Sequence, residues 1–195
     1  MIIYDCEQNS DKWHLLRGPI PTSSEFSRLI TGTGKPSDGL QAYAKQLAAI
    51  KYFKGKIENN FHGNKYTQRG TELEPLTVAD YQMSRQVTVT PVGFITDDLK
   101  RWGTSTDGLV NDDGCIEVKN LIGETFFDLM IYVKKHNKTP PGYIPQIQGE
   151  LFVSEREWCD IIFYHPQAEP IIHRHYPDLV FHAALKKQLM LCIAE

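Results

Sequence analysis

The chain lacks the marks of a membrane, secreted or zinc-ribbon protein. No apolar run approaches the roughly 20 residues that cross a bilayer. The opening residues Met1-Ile2-Ile3-Tyr4-Asp5 carry neither the basic segment nor the long apolar stretch of a secretory signal. The four cysteines, Cys6, Cys115, Cys159 and Cys192, form no C-x-x-C pair and no zinc-ligand spacing. They read as buried free thiols of a reducing cytoplasm. Positive charge is also scarce, with 21 Lys and Arg against 24 Asp and Glu for a net charge of −3. This argues against coating nucleic acid through bulk charge. It leaves room for a nuclease, whose carboxylates add negative charge that bound cations offset locally. No internal repeat, low-complexity tract or linker divides the 195 residues, which fit one domain over 1–195.

What is present concentrates in one short region. Ser105-Thr106-Asp107-Gly108 leads through Asn111-Asp112-Asp113-Gly114 to Cys115-Ile116-Glu117-Val118-Lys119. An Asp-Gly turn between apolar runs predicts a tight β-hairpin. Alternation along its second strand puts Cys115, Glu117 and Lys119 on one face, and Ile116 and Val118 on the other. Asp107 from the neighbouring strand can then meet Glu117 at a hard divalent cation, which takes carboxylate and phosphate oxygens. A lysine beside such a cation suits activation of a nucleophile or stabilisation of developing charge. The pattern points to metal-dependent phosphodiester hydrolysis. The plainer alternative is an exposed strand with alternating charges.

Apolar periodicity predicts helices over 10–17, 22–30, 40–53, 65–82, 123–135, 143–153 and 177–193. Thr22 and Glu25 match a capping box for the second of these. Strands are predicted over 86–90 and 92–95, paired with each other, then over 103–110, 115–119 and 158–164, with an edge strand over 171–175. This order makes an α/β or α+β fold, a central sheet flanked by helices.

Three further groups are candidates. Glu74 offers a third carboxylate from the helix before the strands, with Glu72 equally available and a solvated helix acid as the alternative. Arg17, Thr22 and Ser24 combine a guanidinium with hydroxyls at a helix start, good chemistry for a phosphate; alternatively Thr22 caps its own helix and Arg17 makes a surface ion pair. Gln146 and Gln148 place two amides in a segment otherwise suited to burial. His173-Arg174-His175 resembles half a metal site without its second half. Trp13, Trp102 and Trp158 read as core anchors.

Taken in order, six segments resemble the phage-type recombination exonucleases, the YqaJ or lambda-exonuclease family of the PD-(D/E)xK nuclease superfamily. They are Gln8-Asn9-Ser10-Asp11-Lys12-Trp13 with Arg17, Pro21-Thr22-Ser23-Ser24, Arg69-Gly70-Thr71-Glu72-Leu73-Glu74, Ser105-Thr106-Asp107-Gly108, Glu117-Val118-Lys119, and Tyr143-Ile144-Pro145-Gln146-Ile147-Gln148. Stretches 32–39 and 57–64 have no counterpart in the family pattern. The resemblance implies a restriction-endonuclease-like core with a central mixed β-sheet flanked by helices. It implies two Mg²⁺ ions, replaceable by Mn²⁺, on Asp107, Glu117 and the Val118 carbonyl, with Glu74 acting through the second metal or its waters. Lys119 would position the attacking water and help deprotonate it. Arg17, Thr22, Ser24, Ser105 and either Gln146 or Gln148 would hold a 5′-phosphate.

The activity so implied is a 5′→3′ exonuclease on double-stranded DNA ends. It would release 5′-mononucleotides and leave 3′ single-stranded tails for recombination by strand annealing. The implied partners are duplexes with 5′-phosphorylated ends, two further copies in a ring-shaped homotrimer, and a single-strand annealing recombinase. The setting is the cytoplasm of a bacterial host, from a phage or prophage gene, with no membrane role. A restriction-like or structure-specific endonuclease with the same metal core is the alternative enzyme. A DNA-binding or annealing module, with the carboxylates as surface charge, is the non-enzyme alternative.

Overall fold

The computed structural model describes residues 1–53 and 65–194; the stretch 57–64, unmatched in the family pattern, lies outside them. Its frame is a five-stranded mixed sheet of β2 (Val89–Thr90), β5 (Gly108–Val110), β6 (Gly114–Asn120), β7 (Trp158–Tyr164) and β8 (Ile171–His175), in the order β2-β5-β6-β7-β8. A smaller sheet joins β1 (Ile2–Tyr4), β3 (Phe94–Thr96) and β4 (Gly103–Thr104). The helices are α1 (Asp11–Arg17), α2 (Leu40–Tyr52), α3 (Lys65–Arg85), α4 (Gly123–His136), α5 (Ile144–Ser154) and α6 (Leu179–Ala194). Among the described residues no helix is long and apolar enough to cross a membrane.

The predicted β5–β6 hairpin forms, but its turn is Asn111-Asp112-Asp113, with Gly114 already paired in β6 instead of sitting in the turn. Val110 pairs with Gly114, and Asn111 takes the left-handed φ of 47° that asparagine tolerates. A Cβ on Gly114 would lie 2.1 Å from the Trp158 ring, so only glycine lets β6 start against β7. β6 and β7 run parallel. A parallel pair needs a crossover connection, here made by α4 and α5.

Both strands are covered on both faces, and their alternation sorts the core. Cys115, Cys159, Ile161 and Phe163 pack with Phe26, Leu29, Tyr43, Ile147, Leu151, Leu185 and Leu189 in the larger cluster. Ile116, Val118, Trp158 and Ile162 pack with Tyr81 of α3 in the smaller one. Glu117 and Lys119 share the phase of Cys115, as the sequence spacing requires.

Three local expectations fail for tertiary reasons. Segments 86–90 and 92–95 do not pair with each other: β2 joins β5, and β3 lies between β1 and β4. The predicted strand 103–110 breaks after Thr104, and its halves enter different sheets. Gln8 spans that interruption, its Nε2 donating to Val92 O and Thr106 O, both at 2.9 Å.

The stretch after Thr22 is a 3₁₀ helix, Ser23–Arg28, and the Thr22 side chain makes no cap. Its backbone is engaged elsewhere, bridging to Gly103 and donating N–H to the Tyr43 hydroxyl at 3.1 Å. Finally, α6 begins at Leu179 because Asp178 Oδ1 caps it, accepting from Val180 N and Phe181 N at 3.0 Å.

Candidate active site

The hairpin holds the first carboxylate beside the second through one backbone bond and one to the Asp107 side chain. Asp107 donates its N–H to Ile116 O at 3.1 Å, and its Oδ2 accepts from Val118 N at 2.6 Å. Glu117, only 4% exposed, places Oε1 at 2.5 Å from Lys119 Nζ. Its Oε2 is buried without a hydrogen-bond partner among the described residues. Lys119 Nζ also donates to Gln146 Oε1 at 3.1 Å, and Gln146 Nε2 donates to Glu150 Oε1 at 3.0 Å.

Glu74 reaches this cluster from α3, and Asn120 at the end of β6 holds the helix on either side of it. Asn120 Nδ2 donates to Gly70 O at 3.0 Å, while its Oδ1 accepts from the Thr77 hydroxyl at 2.8 Å. An Asn120→Ala variant is expected to lose about 1–3 kcal/mol of stability, the scale of the hydrogen bonds removed, and to melt roughly 2–4 °C lower for each kcal/mol. Thermal melting checks it; an unchanged midpoint contradicts the clamp.

The charges are crowded. Burial, then the Glu117 and Glu74 charges, raise Asp107 well above the ordinary carboxylate range, against the Val118 N–H and Lys119. Burial and Glu117 raise Glu74, with Lys119 opposing. Burial and Glu117 likewise raise Glu150 strongly. Burial works against the Lys119 ammonium, but Glu117, Asp107 and Glu150 outweigh it and its pKa rises. A cluster of several acids with one lysine is short of positive charge. A divalent cation would relieve that crowding and give the orphaned Glu117 Oε2 a partner, so the donor set fits a hard metal.

A second cluster adjoins the first through Trp13. Arg17 stacks over the Trp13 ring at 4.5 Å and donates through Nη2 to Ser24 Oγ at 2.5 Å. Trp13 Nε1 donates to Ser105 Oγ at 2.7 Å. The structure thus brings Arg17, Ser24 and Ser105 together, with Ser105 just ahead of Asp107 in the chain. Thr22 lies beside them but buried, 3% exposed. Burial lowers the Arg17 pKa, opposed by Tyr43, Glu25 and Glu117, and the guanidinium stays charged. One cleft is lined by Trp13, Arg17, Thr22 and Tyr43, and another by Gln8, Glu74, Gly93 and Asp107, so both clusters open to the surface.

Gln148 stands apart from both. Its Nε2 donates to Tyr176 O and its Oε1 accepts from Asp178 N, both at 2.9 Å, fixing the turn between β8 and α6. His173 Nδ1 and His175 Nε2 share the Thr139 hydroxyl at 2.9 and 2.8 Å. Arg174 pairs with Asp160 at 2.8 and 2.9 Å, which accounts for that motif without a metal.

Cys115, Glu150 and Cys159 place donor atoms within 4.8 Å of one another, all buried, close enough to hold an ion. Sulfur donors suit softer cations than Mg²⁺. The Cys159 thiol is raised by its hydrogen bond with Cys115 and by burial, and it donates to Glu150 Oε2 at 3.6 Å. That geometry is a hydrogen-bonded core cluster on the Glu117 face of β6. Sequence reasoning missed Trp13 as a link, Asn120 and Glu150. The one local signal was the Gln146-to-Glu150 spacing, which shares a helix face.

Residues 12–157 match the family model described as YqaJ-like viral recombinase domain. In structure the chain is similar to an alkaline exonuclease, LHK-Exo, from Laribacter hongkongensis. The match has 27% identity and a TM-score of 0.80, covering 95% of this chain and 91% of that one. The structure of LHK-Exo in complex with dAMP matches at 28% identity and a TM-score of 0.80, over 95% and 91% of the two chains. A phage related exonuclease from Haemophilus somnus shares the fold at 18% identity and a TM-score of 0.69, covering 92% of this chain and 94% of that one. No curated protein matches the chain in sequence.

Proposed function

The chain belongs to the YqaJ-like viral recombinase domain family and is an exodeoxyribonuclease, and from that premise we propose that it degrades double-stranded DNA 5′→3′ from phosphorylated ends with Mg²⁺. The observation that supports this direction most is the Trp13 Nε1–Ser105 Oγ bond of 2.7 Å, which ties the Arg17 cluster to the short loop before β5 that carries Asp107. A 5′-phosphate held by Arg17, Ser24 and Ser105, with Thr22 alongside, sets the first phosphodiester over the carboxylates. Cutting there releases a 5′-mononucleotide and leaves a 3′ tail for an annealing recombinase.

In this reading Asp107, Glu117 and the Val118 carbonyl would hold two Mg²⁺ ions, with Glu74 acting through the second ion or its waters. Bound there, the cations supply Lewis acidity and an activated water. Asp107 and Glu117 supply the negative charge that such cations need. Lys119, kept as an ammonium by its acidic neighbours, donates hydrogen bonds to the attacking water and to developing negative charge. A net charge of −3 gives little bulk attraction to DNA, so retention by enclosure in a ring of three copies suits this chain. The bacterial cytoplasm would be its setting.

A linear duplex should be consumed while a covalently closed circle of the same sequence survives. Cleavage of the closed circle would favour the endonuclease reading instead.

The acids also predict a linkage. With folded-state pKa values raised above the ordinary ones for Asp107, Glu74 and Glu150, the folded protein keeps protons that the unfolded chain has lost. Stability is therefore greatest below about pH 4 from these groups and falls as pH rises through the folded values. Saturating Mg²⁺ is expected to offset the fall by about 2.7 kcal/mol at 100 times Kd. Thermal melts in EDTA and in Mg²⁺ across that range check it; identical melting in both contradicts cation binding.

A further inference from the structure

We infer that Glu150 is a positioning residue of the nuclease site, fixing the Gln146 amide so that this amide in turn fixes the Lys119 ammonium. The inference rests on reading Asp107, Glu117 and Lys119 as the nuclease centre. Glu150 is 0% exposed, on a helix whose neighbouring residues Ile147 and Leu151 are core. An acid there breaks the apolar pattern, and burying one costs free energy unless it is well partnered. Such local exceptions concentrate at functional sites.

The bonding explains what the acid does. An ammonium is only a donor, so Lys119 requires the oxygen end of the Gln146 amide, which it meets at 3.1 Å. The amide nitrogen then faces the other way and needs an acceptor. Glu150 Oε1 supplies one at 3.0 Å, one helical turn along the same face of α5. The far oxygen of Glu150 is held by the Cys159 thiol at 3.6 Å, so the acid is itself tethered to β7.

Close packing fixes the helix that carries both residues: a Cβ on Gly149 would lie 2.4 Å from the Phe26 ring. Without Glu150 the Gln146 amide has no anchor, and Lys119 is left to its tight pair with Glu117. The ammonium then sits on the carboxylate instead of being shared outward toward the water and phosphate.

Two near-isosteric replacements separate the hydrogen bond to Gln146 from the charge that Glu150 sets against Glu117. Glu150→Gln keeps an acceptor for Gln146, whereas Glu150→Met keeps the shape without it. Glu150→Met is expected to lower kcat about 10–100-fold with KM little changed, and Glu150→Gln to retain most of the activity. Gln146→Ala should show a similar loss, and the Gln146→Ala/Glu150→Met double variant should fall no further, because both act through one amide.

Multiplying losses in the double variant, or Glu150→Met as active as wild type, would overturn the inference. If Glu150→Met does not fold, Glu150→Gln decides alone: a loss of about 10-fold or more overturns it. Wild-type protein with no nuclease activity defeats the reading of the centre itself. Active wild type beside an unaffected Glu150→Met defeats only the role of Glu150.

Discussion

Asp107→Asn is expected to lose about 10³-fold or more in Mg²⁺-dependent turnover, roughly 4 kcal/mol of transition-state stabilisation, while folding at least as well as the wild type. The two effects come from the same geometry. The carboxylate is held at 2.6 Å by Val118 N, a bond an asparagine oxygen can also accept, so the hairpin survives. What disappears is the negative charge that a hard cation needs. Without cation that charge is a burden, since burial and the neighbouring Glu117 and Glu74 hold the Asp107 acid well above its ordinary range. A neutral amide removes the repulsion, so melting in EDTA should rise by roughly 2–4 °C per kcal/mol relieved. Activity lost with stability gained marks a site built for a cation. A variant that melts early and loses activity only with its fold would make Asp107 structural.

Arg17→Ala carries the second large effect. It should slow hydrolysis of 5′-phosphorylated ends about 10–100-fold, the scale of a lost charge-assisted hydrogen bond, and leave 5′-hydroxyl ends nearly unchanged. Arg17 is poised for this by stacking at 4.5 Å over Trp13 and by its contact with the exposed Ser24. Its bond to Ser24 can be exchanged for a phosphate without leaving a buried donor unpaired. Arg17→Lys should restore little, because an ammonium keeps the charge but neither the planar stack nor the fork. Competition between the two kinds of end in one reaction measures the preference directly. Equal losses on both ends would remove the phosphate pocket from the reading.

The hairpin was legible in the sequence because everything that makes it is local. The turn lies at Asn111-Asp112-Asp113, closed by the Val110–Gly114 pair, and a period of two sends Glu117 and Lys119 to one face. The order of helices and strands, and hence the mixed α/β fold, followed from similar short-range signals.

Membership of strands in sheets did not. Residues 103–110 carry no proline or other breaker that marks an interruption, yet Gln8, distant in sequence, bridges the break between β4 and β5. Thr22 has the composition of a cap, but its pairing with Gly103 takes precedence. Gln146 and Gln148 cannot share a helix face at about 100° per residue. Only the packing of α5 against the 3₁₀ segment sets which of them meets Lys119. Asn120 and Glu150 look like ordinary polar residues in the chain; their partners come from helices and strands that only the tertiary fold brings near.

The most direct test is a linear duplex carrying a 5′-phosphate, radiolabelled at the 5′ end of one strand in one sample and at its 3′ end in another. With Mg²⁺, the 5′ label is expected to appear at once as mononucleotide, while the 3′ label stays in a progressively shortened strand. EDTA or Asp107→Asn should stop both. Early release of the 3′ label, or survival of the 5′-phosphorylated strand under active enzyme, would contradict the assignment of direction to the Arg17 cluster.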